Sequence, residues 1–187
     1  MSFLFCLIIT AFLCSIPTGL IVGVVFYNLD PRQHESQNIG MSNVWRCCGS
    51  AAGISTLIGD MLKATLSLWI CSFISTELLI LGVLCVFFHC FSIYLSGKGG
   101  KGVATSGGVL LYFSIELLLV SCVTWLIIRF LYKKASIASL STVGVTLGYT
   151  LFRVDTLLFL IFGIGILIFI RHKDNILRLQ SKEELHF

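Results

Sequence analysis

The chain has 187 residues, of which 57% are apolar and only 12% are charged. A soluble domain normally carries about twice that charged fraction, so the composition excludes an ordinary soluble globular protein and favours a helical membrane protein. The formal net charge of +4 is modest, and because no polar linker divides the chain we expect a single membrane-embedded domain over residues 1–187.

Apolar segments follow one another along almost the whole chain. A membrane-spanning helix needs about 20 predominantly apolar residues. Candidate spans cover residues 1–29, 52–74, 78–94, 103–114, 115–131, 136–152 and 154–170. The first carries no charge and should bend at Pro17, and the fourth is short. The sequence therefore predicts an all-α fold, a polytopic integral membrane bundle of about seven transmembrane helices.

The distribution of charge predicts the orientation of this bundle. With the N-terminus outside, ten of the thirteen Lys and Arg residues fall on the inner side, which the positive-inside rule favours. The outer loops and their edges then carry Glu77, Glu116, Arg153 and Asp155. Without the short fourth span, Lys133, Lys134 and the basic tail would lie on the side opposite the preceding basic loops. The pattern thus favours seven spans and a cytoplasmic C-terminus.

Two charges lie inside the second apolar segment, Asp60 and Lys63. Their spacing of three residues places them on one helix face, where they can pair. Ionisable residues within a span are expensive and usually mark a functional site. A structural pair that locks this helix into the bundle explains the same pattern, and both interpretations stay open.

A loop at residues 97–102, G-K-G-G-K-G, is the clearest candidate for an anion site. Glycines leave backbone N–H groups accessible, and successive N–H groups can cradle phosphate oxygens beside the positive end of the following helix. A nucleotide-binding P-loop is excluded, because Gly102 rather than Ser or Thr follows Lys101 and no strand precedes the loop. The candidate residues here are Gly97, Lys98, Gly99, Gly100, Lys101, Gly102 and Thr105.

Two further polar clusters fall on the same predicted side. Residues 36–46 end in an arginine that can bind a phosphate through two hydrogen bonds, although an ordinary capped turn explains this cluster taken alone. Residues 172–178 begin with a histidine, which can exchange a proton near neutral pH. The candidate residues are Ser36, Asn38, Ser42, Asn43, Arg46, His172, Asn175 and Arg178. The remaining histidines, His34, His89 and His186, are expected to be structural.

Together the three clusters resemble the PlsY family of integral-membrane acyl-phosphate:glycerol-3-phosphate acyltransferases. The family pattern S-G-N-I-G-x-T-N-x-x-R matches residues 36–46, K-G-G-K-G-V-A-T matches residues 98–105, and H-x-x-N-I-x-R-L matches residues 172–179. The family's S-I-P-x-G matches residues 15–19, and its D-x-x-K matches Asp60 and Lys63. The resemblance covers nearly the whole chain in the right order.

The chain departs from the family pattern at several positions. Glu35 and Gln37 stand where the family has glycines, which predicts a stiffer and more polar loop, and Ser42 replaces a threonine but keeps its hydroxyl. The third-span pattern G-H-x-x-P is incomplete, so no role is carried over to His89. In the tail, Glu184 matches the family's G-x-E without the glycine.

The resemblance implies a reaction. Such enzymes transfer an acyl group from acyl phosphate to the sn-1 hydroxyl of glycerol 3-phosphate and release lysophosphatidic acid and phosphate, in the first acylation step of phospholipid biosynthesis. It also implies a multi-pass enzyme of the bacterial inner membrane, surrounded by membrane lipids, with its active site on the cytoplasmic face. The resemblance further implies functional coupling to the enzyme that makes acyl phosphate and to the enzyme that adds the second acyl chain. No cofactor, metal or nucleic acid is expected.

The resemblance also distributes roles among the candidate residues. Glycerol 3-phosphate would be held by Ser36, Asn38, Ser42, Asn43, Arg46, Lys101, His172 and Asn175. Acyl phosphate would lie in the loop at residues 97–102 with Thr105. Asp60, Lys63, Arg178 and Glu184 would support the site. Lys101 and His172 would act in catalysis, with either His172 or a substrate phosphate oxygen as the proton acceptor.

Two other functional classes are compatible with a basic inner face. A small transporter of phosphate-bearing substrates would use the same loops, but transporters usually show paired halves, and the sequence has no such internal symmetry. A non-catalytic membrane adaptor would explain the basic charge but not the four glycines in the six residues 97–102.

Overall fold

The computed structural model describes residues 1–153 and 156–184, and within those residues it contains helices and no strand. The predicted all-α class is therefore confirmed. The α-helices are α1 Ser2–Ser15, α2 Thr18–Ile21, α3 Met41–Cys48, α4 Ser50–Ser72, α5 Leu78–Cys90, α6 Val103–Phe113, α7 Ile115–Tyr132, α8 Ala135–Arg153, α9 Leu158–Arg171 and α10 Lys173–Gln180. Short turns of other helical types cover Val22–Phe26, Pro31–Gln33 and Ile93–Leu95.

The apolar segments divide into long and short helices. Among the described residues, five are long and apolar enough to cross a membrane: Ser2–Phe26, Ser50–Ser72, Leu78–Leu95, Ile115–Tyr132 and Ala135–Arg153. Helices α6 and α9 are apolar but shorter, and at about 1.5 Å per residue the 11 residues of α6 cover only about half of a hydrocarbon core roughly 30 Å thick. The predicted start of the last span at Val154, and Asp155 beside it, lie outside the described residues.

The first segment breaks at the proline, as the sequence predicts. Helix α1 ends at Ser15 and α2 begins at Thr18. The last carbonyl groups of a helix have no partner within it and need one elsewhere. Here the Lys63 ammonium donates to the carbonyl of Ile16 at 2.7 Å, and the Ser92 hydroxyl donates to the carbonyl of Ser15 at 2.6 Å. The break therefore binds the N-terminal segment to α4 and to the chain after α5.

Helix α6 lies among its neighbours rather than at the edge of the bundle, in contact with α4, α5 and α7. Its approach to α4 depends on Gly108, because a Cβ at that position would collide with the carbonyl of Met61. The Thr65 hydroxyl then reaches the carbonyl of Gly108 at 2.8 Å. Small residues allow close packing of membrane helices in this way, which accounts for a short helix held deep in the bundle.

Helices α7 and α8 form a hairpin that completes a ring of helices. Two hydrogen bonds cross the hairpin, one between the hydroxyls of Ser121 and Thr146 at 2.8 Å and one from Trp125 Nε1 to Ser139 Oγ at 3.2 Å. Helix α8 packs on α9, α9 on α5, α5 on α4, α4 on α6 and α6 on α7. This ring surrounds a space that side chains do not fill.

Candidate active site

A cavity of about 410 Å³ occupies the interior of this ring. At one end it meets the loop before α3, the start of α6 and helix α10. The polar side chains that line that end include Ser36, Arg46, Lys101, His172, Asn175 and Glu184. Five of them were predicted to touch a substrate and Glu184 was predicted to support them, so the structure brings all three sequence clusters to one place.

The loop before α3 is held in shape by its own asparagines. The Asn43 amide donates to the carbonyls of Pro31 at 2.8 Å and His34 at 3.2 Å, and its oxygen accepts from the backbone N–H of Ser36 at 3.0 Å. Asn38 accepts from the N–H of Gly40 at 2.9 Å. Both asparagines and Ser42 line the cavity, but the hydrogen bonds of Asn43 are used to fold the loop and to hold Arg46.

Arg46 is the cation that this loop presents to the cavity. Its guanidinium donates to the Ser36 hydroxyl at 3.1 Å and to the Asn43 oxygen at 3.3 Å. Its Nε is buried and has no hydrogen-bond partner within residues 1–153 and 156–184. Burial lowers the pKa of Arg46, although an arginine stays charged at neutral pH. A buried donor of this kind normally has a partner, so the guanidinium is well placed to bind an anion in the cavity.

The two residues that replace family glycines in this loop have the backbone conformation that favours glycine. The φ angles of Glu35 and Gln37 are 52° and 56°. A residue with a Cβ is strained by about 1–2 kcal/mol in this region. The sequence predicted a stiffer loop at this point. In the structure the loop keeps the turn that glycine would favour, and the backbone of Glu35 and Gln37 carries the resulting strain.

We expect Gln37→Gly to stabilise the protein relative to Gln37→Ala. Both changes remove an exposed side chain, but only glycine relieves the strain, and its greater freedom in the unfolded chain takes back about 0.4–1 kcal/mol. The net gain should be about 0.5–1 kcal/mol, measured as a higher melting temperature of the detergent-solubilised protein. An alanine variant more stable than the glycine variant by about 0.4–1 kcal/mol would show that the backbone at this position carries no strain.

The Gly/Lys loop reaches the cavity at its end only. Within residues 97–102, Lys101 and Gly102 line the cavity. The N–H groups of Gly97, Lys98, Gly99 and Gly100 donate to the carbonyls of Ser92, Leu95, Cys90 and His89, respectively. The expectation that these four N–H groups cradle a phosphate therefore needs correction.

The physical reason lies in the packing of the loop on the end of α5. A Cβ at Gly99 would collide with the carbonyl of His89, and one at Gly100 with the His89 ring. These glycines permit close packing of the loop, and the anion donors that remain are the Lys101 ammonium and the first turn of α6, whose N–H groups have no partner within the helix. Lys98 is exposed, and Thr105, predicted to contact acyl phosphate, is buried away from the cavity.

A chain of hydrogen bonds orients Lys101. Its ammonium donates to the side-chain oxygen of Asn175, whose amide donates to Glu184 at 2.6 Å. Arg178 donates to the other carboxylate oxygen of Glu184 at 3.1 Å. Burial raises the pKa of Glu184, but the nearby Ser136 hydroxyl and the hydrogen bonds from Asn175 and Arg178 outweigh burial and hold the pKa below its usual value. The carboxylate thus fixes the amide so that its oxygen faces the lysine.

Lys101 itself is charged near neutral pH but easily deprotonated. Burial, together with the positive charges of Arg178 and Arg46, lowers its pKa to about 8, while Glu184 acts in the opposite direction. A phosphate bound beside the ammonium would favour the charged form, because an opposite charge at close range raises the pKa of a lysine.

His172 is neutral and held in a single tautomer. Its Nδ1 lies 2.8 Å from the carbonyl of Ile168, and since a carbonyl only accepts, Nδ1 carries the proton. Burial, and then the charge of Lys101, lowers the pKa of His172 to about 4. At neutral pH the ring therefore offers Nε2 as a hydrogen-bond acceptor at the polar end of the cavity.

Arg171 has a role that the sequence did not indicate beyond its basic charge. It donates to the carbonyls of Gly100 at 3.1 Å and Gly99 at 2.8 Å, and its guanidinium lies 5.4 Å from the centre of the Phe91 ring. The residue before His172 thus fixes the glycine loop against α9. Only the adjacency of Arg171 to the third motif could have suggested this contact.

The predicted Asp60–Lys63 pair is confirmed, and a histidine joins it. The carboxylate and ammonium lie 2.8 Å apart, and Lys63 Nζ lies 2.9 Å from His89 Nδ1. His89 was expected to be a lone structural histidine; instead, it lines the cavity beside Asp60 and contacts Gly100. The three buried groups connect α4, α5, the α1 break and the glycine loop, which gives the pair a clear structural role. His186 lies outside the described residues.

The other end of the cavity is apolar. Its walls come from α4, α6, α7, α8 and α9, with large side chains such as Met61, Leu110, Trp125 and Ile164. One face of α8 adds the small polar residues Ser136, Ser139 and Thr142. Their spacing of three residues within an apolar helix is the sequence signal for this wall, which the motif analysis missed. The fold and the site together define an integral membrane protein suited to a molecule with an anionic head and a long apolar chain.

Comparisons with known proteins agree with this class. The family model described as glycerol-3-phosphate acyltransferase matches residues 4–182. The glycerol-3-phosphate acyltransferase of Bacillus subtilis strain 168 is 40% identical over 182 residues, which cover 95% of this chain and 94% of the relative. The enzyme of the same name from Fusobacterium nucleatum is 35% identical over 192 residues, covering 100% and 99%.

Solved structures give the same result in three dimensions. The crystal structure of PlsY, an integral membrane glycerol 3-phosphate acyltransferase, in its glycerol 3-phosphate form has a TM-score of 0.92 and 32% identity, covering 100% of this chain and 96% of that chain. Its lysophosphatidic acid form has a TM-score of 0.89 and 31% identity, covering the same shares of both chains. The chain belongs to the PlsY family of glycerol-3-phosphate acyltransferases, acyltransferases of phospholipid synthesis.

Proposed function

We propose that this protein transfers an acyl group from acyl phosphate to the sn-1 hydroxyl of glycerol 3-phosphate, releasing lysophosphatidic acid and phosphate. This is the first acylation step of phospholipid biosynthesis. One observation carries the proposal: a single cavity joins a polar end with Arg46, Lys101 and His172 to an apolar interior. The names of the relatives and of the solved forms support glycerol 3-phosphate as the acceptor.

The two phosphates would be bound by different groups at the polar end. Arg46 with Ser36 would hold the phosphate of glycerol 3-phosphate, because a guanidinium suits bidentate binding of a phosphate. Lys101 and the first turn of α6 would hold the phosphoryl group of the acyl donor, whose chain then follows the apolar walls. This arrangement revises the cradle predicted over residues 97–102 but keeps Lys101 as the residue shared by both substrates.

The reaction needs little covalent chemistry from the protein. The sn-1 oxygen attacks the acyl carbonyl carbon, a C–O bond forms, the bond between that carbon and the phosphate oxygen breaks, and the hydroxyl proton leaves. Acyl phosphate is already an activated mixed anhydride, so positioning and charge stabilisation suffice. Lys101 and the α6 terminus would stabilise the negative charge that develops on the leaving phosphate.

The proton acceptor is proposed from the pKa values at the site. A general base works best when its pKa lies near the working pH. The pKa of His172 is lowered to about 4, whereas the second ionisation of a phosphate monoester lies near 6. A phosphate oxygen is therefore the stronger base, and His172 would orient the glycerol hydroxyl by accepting its hydrogen bond at Nε2.

The proposed membrane placement has seven spans in one domain, with an outer N-terminus, a cytoplasmic C-terminus and the site at the cytoplasmic face of the bacterial inner membrane. The basic groups support this orientation, since Arg46, Lys101 and Arg178 lie at the polar end of the cavity or beside it. Glu116 and Arg153 form an exposed pair 3.8 Å apart at the other end of the α7–α8 hairpin. Acyl phosphate would come from the membrane, through coupling to the enzyme that makes it, and the product would pass to the second acylation enzyme.

The deciding experiment measures phosphate release from palmitoyl phosphate by the purified protein in lipid nanodiscs, with and without glycerol 3-phosphate. We expect release to depend on both substrates and to equal the lysophosphatidic acid formed. Uptake of glycerol 3-phosphate into sealed vesicles without formation of an ester would instead identify a transporter. The absence of both phosphate release and uptake would favour a non-catalytic adaptor.

A further inference from the structure

The cavity has a definite length, measured along the helices that line it. On α8 its lining extends from Ser136 to Thr146, ten residues that span about 15 Å at the rise of an α-helix. On α7 it extends from Leu126 to Leu118, eight residues or about 12 Å. One leaflet of a bilayer has a hydrocarbon layer of about 15 Å, half of a roughly 30 Å core. The space therefore suits an acyl chain of ordinary membrane-lipid length.

The far end of this space is closed by three leucine-sized side chains. Leu110, Leu118 and Ile161 line the cavity and are 5%, 8% and 5% exposed, and they form one buried cluster with Leu117. Leu147 and Leu157 pack behind them. We call Leu110, Leu118 and Ile161 the floor of the cavity. A chain that reaches the floor cannot extend further without displacing packed side chains.

The cavity also has an opening in its side wall, between the floor and the polar end. Leu126 is 61% exposed and Cys122 is exposed, although both line the cavity. An acyl chain can enter the cavity from the bilayer through this opening. It can then lie along the cavity or extend back through the opening into the bilayer. Protein interiors are close-packed, so a cavity of about 410 Å³ with a largely apolar lining requires an occupant. The substrate chain is the apolar group that the proposed reaction supplies.

We propose that the floor formed by Leu110, Leu118 and Ile161 sets the maximum acyl-chain length that this enzyme accepts. The proposal rests on the proposed function, because it assigns the apolar space to the chain of the acyl donor. Chains that end at the floor are transferred well, and longer chains are rejected because their last methylenes meet packed side chains. A pocket of this kind discriminates a single methylene by about 10- to 200-fold.

A substitution in the middle of the cavity tests the same proposal by shortening the space for the acyl chain instead of lengthening it. Gly107 lines the cavity one helical turn before Leu110. The three atoms nearest to a Cβ there all belong to the flexible side chain of Met61, at 3.5–3.7 Å. A leucine at position 107 therefore shortens the space without a collision with the backbone.

The experiment compares chain-length profiles of purified variants in nanodiscs. Rates with lauroyl, myristoyl, palmitoyl, stearoyl and arachidoyl phosphate give kcat/KM for each donor. We expect Leu118→Ala to raise the ratio for arachidoyl over palmitoyl phosphate by 10-fold or more, and Gly107→Leu to raise the ratio for lauroyl over palmitoyl phosphate by a similar factor.

Matched controls distinguish a specific effect of the floor on chain-length preference from a general loss of packing. Leu117→Ala removes the same atoms from the same buried cluster without lining the cavity, and Leu119→Ala changes an exposed neighbour. Gly148→Leu adds a side chain where nothing lies within 4 Å. None of the three should change the profile. The proposal that the floor limits chain length is overturned if Leu118→Ala and Gly107→Leu leave the profile unchanged, or if Leu117→Ala shifts it equally. A wild-type protein inactive with every acyl phosphate overturns the proposed function itself.

Discussion

Replacing Lys101 by alanine is expected to abolish acyl transfer, with a loss of about 10²- to 10³-fold in kcat, the usual cost of one preorganised charge-stabilising donor. The ammonium is the one charge that the Gly/Lys loop brings into the cavity, and Asn175 and Glu184 hold it there. The measurement is the formation of lysophosphatidic acid from palmitoyl phosphate and glycerol 3-phosphate by equal amounts of folded protein.

Lys98→Ala is the matched control, since Lys98 belongs to the same loop but is exposed and does not line the cavity. It should retain activity within about twofold, as expected for a surface charge. Equal losses in both variants would mean that the loop contributes only diffuse positive charge, and full activity of Lys101→Ala would remove this lysine from the site.

Because the pKa of Lys101 is lowered, the protonation of this residue should be visible in how kcat/KM depends on pH. Its ammonium is charged below its pKa of about 8 and neutral above it, so kcat/KM should fall as the pH rises through about 8. Lys101→Arg keeps its charge at higher pH, because a guanidinium does not deprotonate in proteins. Its maximum rate should be lower, since the planar group fits the Asn175 oxygen less well, but the alkaline fall should disappear.

The helices were predictable because each long apolar run has the length that a bilayer requires. Predicted and observed boundaries of α4, α7 and α8 agree within about two residues, the ordinary uncertainty of helix ends. What the sequence could not show is how the helices surround a cavity. That depends on contacts between distant residues, such as Gly108 with Met61, which neither hydropathy nor charge encodes.

The site was predictable as a set of residues but not as a set of roles. The three motifs identified Ser36, Arg46, Lys101, His172 and Asn175, and the structure places these together. The same motifs could not distinguish residues that face the cavity from residues that fold the loops. A glycine-rich loop looks like a phosphate cradle until the carbonyls that accept from its N–H groups are known, and those carbonyls belong to the end of α5 and to the turn that follows it.

Contacts made by residues outside the motifs explain the remaining differences. His89 reaches the cavity because the Lys63 ammonium and the Gly100 backbone both lie against its ring. Arg171 holds two carbonyls of the glycine loop from the far side. The links of Lys63 to His89 and of Arg171 to the glycine loop join residues 26 or more positions apart, so local pattern alone carries no information about them.

Replacing His172 by glutamine should separate the two roles that this histidine can have. A glutamine side chain still offers an oxygen to accept a hydrogen bond but cannot serve as a base. If a phosphate oxygen takes the proton, as proposed, kcat should stay within about tenfold while the KM for glycerol 3-phosphate rises, because the interaction lost is one of positioning. Loss of a true general base lowers kcat by about 10²- to 10⁴-fold instead.

His172→Ala completes this comparison, because it removes both the acceptor and the side chain that fills the buried position. Its activity should fall at least 10-fold below that of His172→Gln, and the exposed His34→Gln should behave as wild type. Equal and large losses of kcat in His172→Gln and His172→Ala, with KM unchanged, would identify His172 as the base in spite of its low pKa. A base with a pKa near 4 is almost fully unprotonated at neutral pH, but it holds a proton weakly, so it gives little driving force for removing one from an alcohol. The phosphate that leaves in the same step gains negative charge as the bond breaks, and it can take that proton without leaving a charged imidazole beside Lys101.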